Sequence, residues 1–277
     1  MIIGELTETY PPMLDGVGRV TMAYCQSLEK AGHTAYYIAP EDPGHTRVDG
    51  LNTILYKGIA IPGQNYRFGI PDLSTEFKKQ IRGIPFDILH IHSPFLSAHI
   101  AKEILEERPD IPVVATFHSK YYDDFYKATH SKAIASGVVN SIVRVYNRCD
   151  AVWTVNAETA EVLQGYGFGG EINVAPNGTD VHDIDWERAA ETKRRLGLAE
   201  EMPVLLFVGQ MDMKKNIHSI LRACALLKRE GLSFTLLLAG RGPGQAKLEK
   251  LRGERLVHTL AAYGAGDPSG ICGIGFF

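Results

Sequence analysis

The sequence predicts an α/β protein with a large first domain on a parallel sheet and the beginning of a second domain of the same kind. Three observations predict it. Short apolar runs alternate with longer amphipathic ones from residue 2 onward, and the crossovers between runs are long enough for parallel pairing. A polar, turn-rich stretch then separates a first series of such β-α units from a shorter second series.

IIGELT (Ile2–Thr7) reads as a buried strand, and after a Pro/Gly loop Arg19–Gly32 sets Val20, Ala23, Leu28 and Ala31 at helical spacing before a glycine stop. Thr34–Ala39 is the next strand. From Pro40 to about Gly83 glycine and proline are frequent, and only a strand around Leu51–Tyr56 stands out. Regularity returns with a strand at Asp87–His92, a helix at Pro94–Glu107 with proline in its first turn, and a strand at Pro112–Phe117. A long helix (Ser131–Cys149), a strand (Ala151–Val155), a short helix from Ala157 and a strand (Ile172–Ala175) follow. The charged stretch Pro176–Pro203, with a helical patch at Trp186–Leu196, reads as the connection to the second domain. That domain opens on the strand PVLLFVG and continues with a helix at Asn216–Glu230, a strand at Ser233–Gly240, the loop GRGPG and a short helix at Gln245–Leu251. The expected boundaries are residues 1–180, a linker at 181–202, a partial second domain at 203–252 and an atypical tail at 253–277.

Composition narrows the function classes. Hydrophobic content of 45% and charged content of 22% over 277 residues are ordinary for a globular protein with a sizeable core. A formal charge of −3 argues against bulk electrostatic binding to nucleic acid. Cys25, Cys149, Cys224 and Cys272 form no C-x-x-C pair, so neither a disulfide scaffold nor a cysteine-rich zinc site is expected. MIIGELTETY carries acids where a signal peptide needs basic and then apolar residues, and no apolar run is long enough to span a bilayer. The expectation is a cytoplasmic protein, with peripheral contact at the inner membrane surface left open.

In an open parallel sheet, ligands sit at the carboxyl ends of the strands near the point where strand order reverses. After the first strand, Gly16 and Gly18 stand just before a helix, where close backbone approach and free N–H groups suit a phosphate, although glycine is also ordinary in such turns. His92 and His118 each end a strand. Singly, each reads as a structural residue; together on one rim they suit hydrogen bonds to a sugar hydroxyl or a phosphate. No third ligand stands at metal spacing, so no metal is expected. Lys120, Tyr121 and Tyr122 fit a carbohydrate or lipid headgroup, or equally a half-buried aromatic loop. In the second domain, Lys214 and Lys215 follow one strand as a helix begins, and Gly240, Arg241 and Gly242 follow the next. Both places suit a diphosphate, and both also read as solvated connections. GRGPG is neither a Walker loop nor a good G-x-G-x-x-G match.

DGVGR, DILHIHSP, TFHS, APNGTDV, FVGQMDMKKNI and LLLAGRGP, in this order, resemble retaining GT-B glycosyltransferases of the GT4 type (glycosyl transferases group 1) from residue 2 to about residue 251. The resemblance implies two Rossmann-like domains with a nucleotide-sugar donor between them, and transfer of a hexosyl group with retention to a hydroxyl of a lipid, glycan or small molecule. It implies a UDP- or GDP-sugar as substrate, with no cofactor and no metal. Carried over by position, Gly16 lies near the donor phosphates, His118 touches the donor sugar, and Lys215 neutralises the departing diphosphate. Gly18, Gln210, Lys214, Gly240, Arg241 and Gly242 fall on the donor side, and His92, Lys120 and Tyr121 on the acceptor side. The family pattern usually has arginine where Gln210 stands and an acid where Lys214 stands, which removes one fixed charge and restores one nearby.

The family's nucleotide-gripping pair of glutamates, E-x7-E in a Gly/Pro-rich β-α setting, has no counterpart after Gly253, and a complete second domain needs on the order of 100 residues. The expectation is therefore a C-terminally truncated chain of impaired turnover. The alternative is a non-catalytic glycan- or partner-binding module on the same fold. A dehydrogenase-like nucleotide binder is disfavoured by the poor glycine fingerprint and by the lack of a ribose-holding acid after Gly18.

Overall fold

The computed structural model describes residues 1–10, 16–41, 50–61, 67–178, 181, 183–199, 201–212, 215–240, 242, 244 and 274–276. The chain divides into two compact units, Met1–Asp180 and Val181–Phe277. Among the described residues no helix is long and apolar enough to cross a membrane.

Unit 1 is built on β1 (Ile2–Leu6), β2 (Thr34–Pro40), β3 (Asn52–Tyr56), β6 (Ile88–Ile91), β7 (Val113–Phe117), β8 (Ala151–Thr154) and β9 (Asn173–Val174). They pair in the order β3-β2-β1-β6-β7-β8-β9, all in parallel. The order reverses at β1, whose neighbours are β2 and β6, so the topological switch point lies between β1 and β6. Right-handed crossovers running in opposite directions from β1 must lay their helices on opposite faces. Accordingly α1 (Gly16–Lys30) packs Cys25, Met22 and Leu28 against Tyr37, Ala35 and Ala39. The helices α2 (Thr75–Gly83), α3 (Leu96–Glu107), α5 (Lys132–Tyr146) and α6 (Ala157–Gly165) contribute Phe77, Ile100, Ile142 and Leu163 to the main core with Leu6, Leu89 and Phe117.

Local chemistry explains the helix starts. The Ser131 hydroxyl accepts from Ile134 N at 3.3 Å, and Asn156 Oδ1 accepts from Thr159 N at 2.7 Å. Pro94 lies ahead of α3 and not in its first turn, since the helix begins at Leu96. The weakly patterned stretch after Pro40 holds a hairpin, β4 (Gly58–Ala60) with β5 (Arg67–Gly69), and α2, whose Phe77 and Ile81 are buried four residues apart. The stretch after His118, with its alternative as an aromatic loop, carries a further helix, α4 (Tyr122–Thr129), with Asp123 and Asp124 in its first turn.

Unit 2 contains α7 (Trp186–Arg195), β10 (Val204–Val208), α8 (Ile217–Arg229), β11 (Thr235–Ala239) and β12 (Ile274–Phe276). Strands β10 and β11 are parallel, and β12 joins β11 antiparallel. Met211, Ile217, Leu221, Cys224, Leu236 and Leu238 form one core cluster. The stretch 181–202, read from sequence as a linker, is counted with this unit: Leu196 and Leu198, just after α7, pack with Val204 on Leu237. The short helix expected at Gln245–Leu251 and most of the expected tail lie outside the described residues.

Candidate functional site

The first rim forms where the fold class places ligands, at the switch point of unit 1. Strand register sets Glu5 of β1 directly beside His90 of β6. His92 stands two residues on from His90 and so shares its face. His118 follows β7 at the same edge, two residues beyond Thr116. The outcome is a continuous chain of hydrogen bonds. Glu5 Oε2 lies 2.7 Å from His92 Nε2 and 3.0 Å from His90 Nδ1, and His90 Nε2 lies 2.7 Å from Thr116 Oγ1. His92 Nδ1 lies 3.0 Å from His118 Nε2, with the two rings stacked at 5.2 Å. Tyr24 of α1 closes over His90 and His92 at 5.2 and 5.6 Å, and Trp153 of β8 meets His90 at 5.4 Å.

Burial sets the electrostatics. Glu5 is 1% exposed, and burial opposes its ionisation. Electrostatic attraction to the neighbouring His90 and hydrogen bonds from both imidazoles outweigh that and hold the carboxyl down at about 2. Burial, then the neighbouring His90, brings His92 down to about 4 against the opposing pull of Glu5. Burial, then His92 and His90, brings His118 down to about 3. Near neutral pH the rim is one buried carboxylate with neutral His92 and His118 ahead of it.

Three of these donors, Glu5, His90 and His92, come within reach of one ion, and Glu5 is a third donor that the sequence spacing did not reveal. At zinc–ligand distances of about 2.0–2.1 Å, tetrahedral ligand atoms stand about 3.3 Å apart. The contacts of 2.7 and 3.0 Å to Glu5 are instead hydrogen-bond lengths, with each imidazole satisfied on its second nitrogen. The cluster is a hydrogen-bonded network.

The sequence candidates distribute unevenly around it. His118 is half-buried at the rim. His92, expected on the acceptor side, is only 1% exposed and both its nitrogens are engaged, so it stands behind His118. Lys120 is exposed beside it. Tyr121 packs against Phe117 and Phe95 at 5.7 and 5.4 Å, at the start of α4. Gly16 opens α1 with nothing within 4 Å of the place a Cβ would take. Gly18, expected on the donor side, is buried, and a Cβ there would meet Thr9 Oγ1 at 2.5 Å. Its small size lets α1 pack closely on Thr9, just past β1, and on Tyr37 of β2. The N-terminus of α3, another natural anion seat on this rim, is taken by the chain itself: Glu8 Oε1 accepts from Leu96 N at 2.7 Å, Ser97 N at 3.3 Å and Ser93 Oγ at 2.6 Å.

The second rim, in unit 2, is made mostly of backbone. Gln210 follows β10, and its carbonyl accepts from Asp212 N at 2.9 Å. Lys215 is exposed and stands two residues before α8, whose N-cap Asn216 has φ 51° and provides no side-chain cap. A cation thus stands beside a helix N-terminus. Gly240 has φ +147°, and a Cβ on it would overlap the carbonyl of Gly209; one on Gly242 would meet the carbonyl of Met211 at 2.4 Å. The glycines expected to cradle a diphosphate therefore let the two loops of this rim approach one another. Lys214 and Arg241 lie outside the described residues.

Residues 14–183 match the profile of Glycosyltransferase Family 4. The chain belongs to that family. Residues 189–263 match Glycosyl transferases group 1. The chain is 26% identical over 256 residues to alpha-monoglucosyldiacylglycerol synthase of Streptococcus pneumoniae, covering 88% of this chain and 56% of that protein. It is 27% identical over 232 residues to phosphatidyl-myo-inositol mannosyltransferase of Mycolicibacterium smegmatis, covering 82% and 55% respectively. The chain thus spans little more than half the length of these two relatives. Sucrose-phosphate synthase of Thermosynechococcus elongatus superposes with a TM-score of 0.67 at 18% identity, over 91% of this chain and 67% of that one. TarM superposes with a TM-score of 0.61 at 9% identity, over 92% of this chain and 74% of that one. At these identities the superpositions speak for the shared α/β fold.

The residues that sequence reading missed are Glu5, His90, Thr116, Tyr24 and Trp153. A signal for two of them was present: a glutamate inside the apolar strand IIGEL, and a histidine two positions before another in ILHIH, which alternation puts on one face.

Proposed function

We propose that this protein acts in transfer of a sugar from a nucleotide-sugar donor, a UDP- or GDP-sugar, to a hydroxyl acceptor, with retention at the anomeric carbon. The observation that carries the reading is His118, held at the switch-point rim by a buried Glu5–His92 chain in a member of Glycosyltransferase Family 4. A half-buried imidazole of fixed orientation suits hydrogen bonding to a sugar hydroxyl. Lys215, beside the N-terminus of α8, suits a departing diphosphate, whose charge is the largest electrostatic demand of such a reaction. Two of the relatives carry a lipid in their names, so a lipid hydroxyl is the first acceptor class to try, with peripheral contact at a membrane surface as the setting.

The test is equilibrium titration of the protein with UDP-glucose and GDP-mannose, followed by transfer assays on lipid vesicles and NMR of the product's anomeric proton. Saturable binding of one donor, weakened by Lys215→Ala and His118→Ala, supports the reading. Glycan or acceptor binding that survives both substitutions, with neither donor bound, replaces it by the non-catalytic binding module.

A further inference from the structure

The chain from Glu5 to His118 fixes more than position, because each contact in it has a direction. An ionised carboxylate only accepts, so the 2.7 Å contact requires the proton of His92 to sit on Nε2. In a neutral imidazole that leaves Nδ1 as a lone pair. The 3.0 Å contact from His92 Nδ1 to His118 Nε2 then requires His118 to donate from Nε2. His118, neutral in turn, keeps Nδ1 as its acceptor.

The alternative direction needs an imidazolium at His92, donating from both nitrogens. Burial and the adjacent His90 oppose that charge. The other groups facing the cluster supply no competing proton: Thr116 engages His90, Trp153 presents its ring to His90, and Tyr24 is held protonated by burial and by Glu5. Glu5 also carries both imidazoles on one oxygen, so loss of its charge would release His92 from a single tautomer.

We infer that Glu5 is a positioning residue that acts through His92 to hold His118 in its Nε2–H tautomer, which reserves Nδ1 of His118 to accept a hydrogen bond from a hydroxyl of the sugar ligand. The inference rests on the glycosyl-transfer reading for the identity of that ligand and on the hydrogen-bond geometry for the tautomer. It makes His118 a neutral acceptor, not a cation that shares in neutralising a diphosphate.

The test is long-range 1H–15N NMR of histidine-labelled protein at pH 7, where the two neutral tautomers and the imidazolium give different cross-peak patterns. In the wild type His118 is expected as the Nε2–H form. An Nδ1–H form or an imidazolium overturns the proposal, and this spectrum needs no variant. In Glu5→Gln the His118 pattern moves toward a tautomer mixture; should that variant fail to fold, His92→Phe keeps a ring of similar size and removes the acceptor with the same expected outcome. With a donor that supports transfer, Glu5→Gln lowers kcat roughly 10- to 100-fold, the usual size for loss of a supporting partner behind a functional imidazole. An unchanged kcat overturns the positioning role. The expected tautomer without any donor binding would instead count against the glycosyl-transfer reading and leave the relay standing.

Discussion

The rim of unit 1 and the rim of unit 2 sit at corresponding places, the carboxyl ends of parallel strands, but they are made from different material. The first is made of side chains: Glu5, His90, His92 and Thr116 are all buried and joined by contacts of 2.7–3.0 Å, with His118 at the outer end. The second is made of close backbone at Gly209, Met211, Gly240 and Gly242, with Lys215 exposed beside a helix start. A network of the first kind has its protons and orientations set before a ligand arrives, because a buried polar group must be satisfied within the protein. An exposed lysine is a flexible point charge, and the ligand that meets it fixes its geometry. The comparison teaches that unit 1 fixes orientation before a ligand arrives, whereas the exposed cation of unit 2 takes its geometry from whatever it meets.

The largest effect should come from the charge. Lys215→Ala is expected to cut transfer, or donor affinity where transfer is not followed, by roughly 10²–10³-fold while leaving the circular dichroism unchanged, the scale found when one preorganised electrostatic contact is removed. A wild-type titration curve from that variant would break the assignment of charge to unit 2.

Next comes the packing beneath the first rim. Gly18→Ala puts a methyl group against Thr9 Oγ1 and close to the hydroxyl of Tyr37, which itself donates to Thr9 O at 2.6 Å. Overpacking of this kind costs about 1–3 kcal/mol. Chemical denaturation should show unit 1 destabilised by that amount, whereas Gly16→Ala, with open space around it, should change little. Equal effects at the two glycines would mean that Gly18 is not a packing residue.

A pH profile sharpens the comparison further. Folded His92 and His118 titrate at about 4 and about 3, below the ordinary 6.5, and Glu5 at about 2, below 4.5. In each case the unfolded chain binds more protons over the interval between the two values, so stability falls as pH falls. Unit 1 should keep its full stability at and above neutrality, begin to lose it as pH drops through 6.5, and lose more below 4.5 as Glu5 joins. Thermal unfolding at pH 7 and pH 5 should differ by up to roughly ten degrees, and Glu5→Gln together with His92→Phe should reduce that dependence. A profile that is already flat in the wild type would remove the buried neutral histidines from the account.

Much of the fold was legible because it rests on local pattern. The apolar runs at Ile2–Leu6, Thr34–Pro40 and Val113–Phe117 are strands, and their long connections are crossovers. What escaped was of two kinds. Some was local but weak: Phe77 and Ile81 mark α2, and Asp123 and Asp124 favour the start of α4, yet both helices are short and lie among turn residues or aromatics. The rest was not local at all. Glu5 meets His92 across 87 residues of chain, and only the register of β1 on β6 brings them together. The same limit explains why the burial of His92 and Gly18 was not foreseen: sequence places a residue on the rim, but not in front of or behind its neighbour.

The most direct test of this account is a titration of histidine-labelled protein with UDP-glucose and with GDP-mannose, read from the 15N signals of His90, His92 and His118. The account predicts that one donor moves His118 strongly, leaves His90 and His92 nearly in place, and binds with lower affinity in Lys215→Ala. Saturable donor binding with His118 unmoved, or binding indifferent to Lys215, would contradict it.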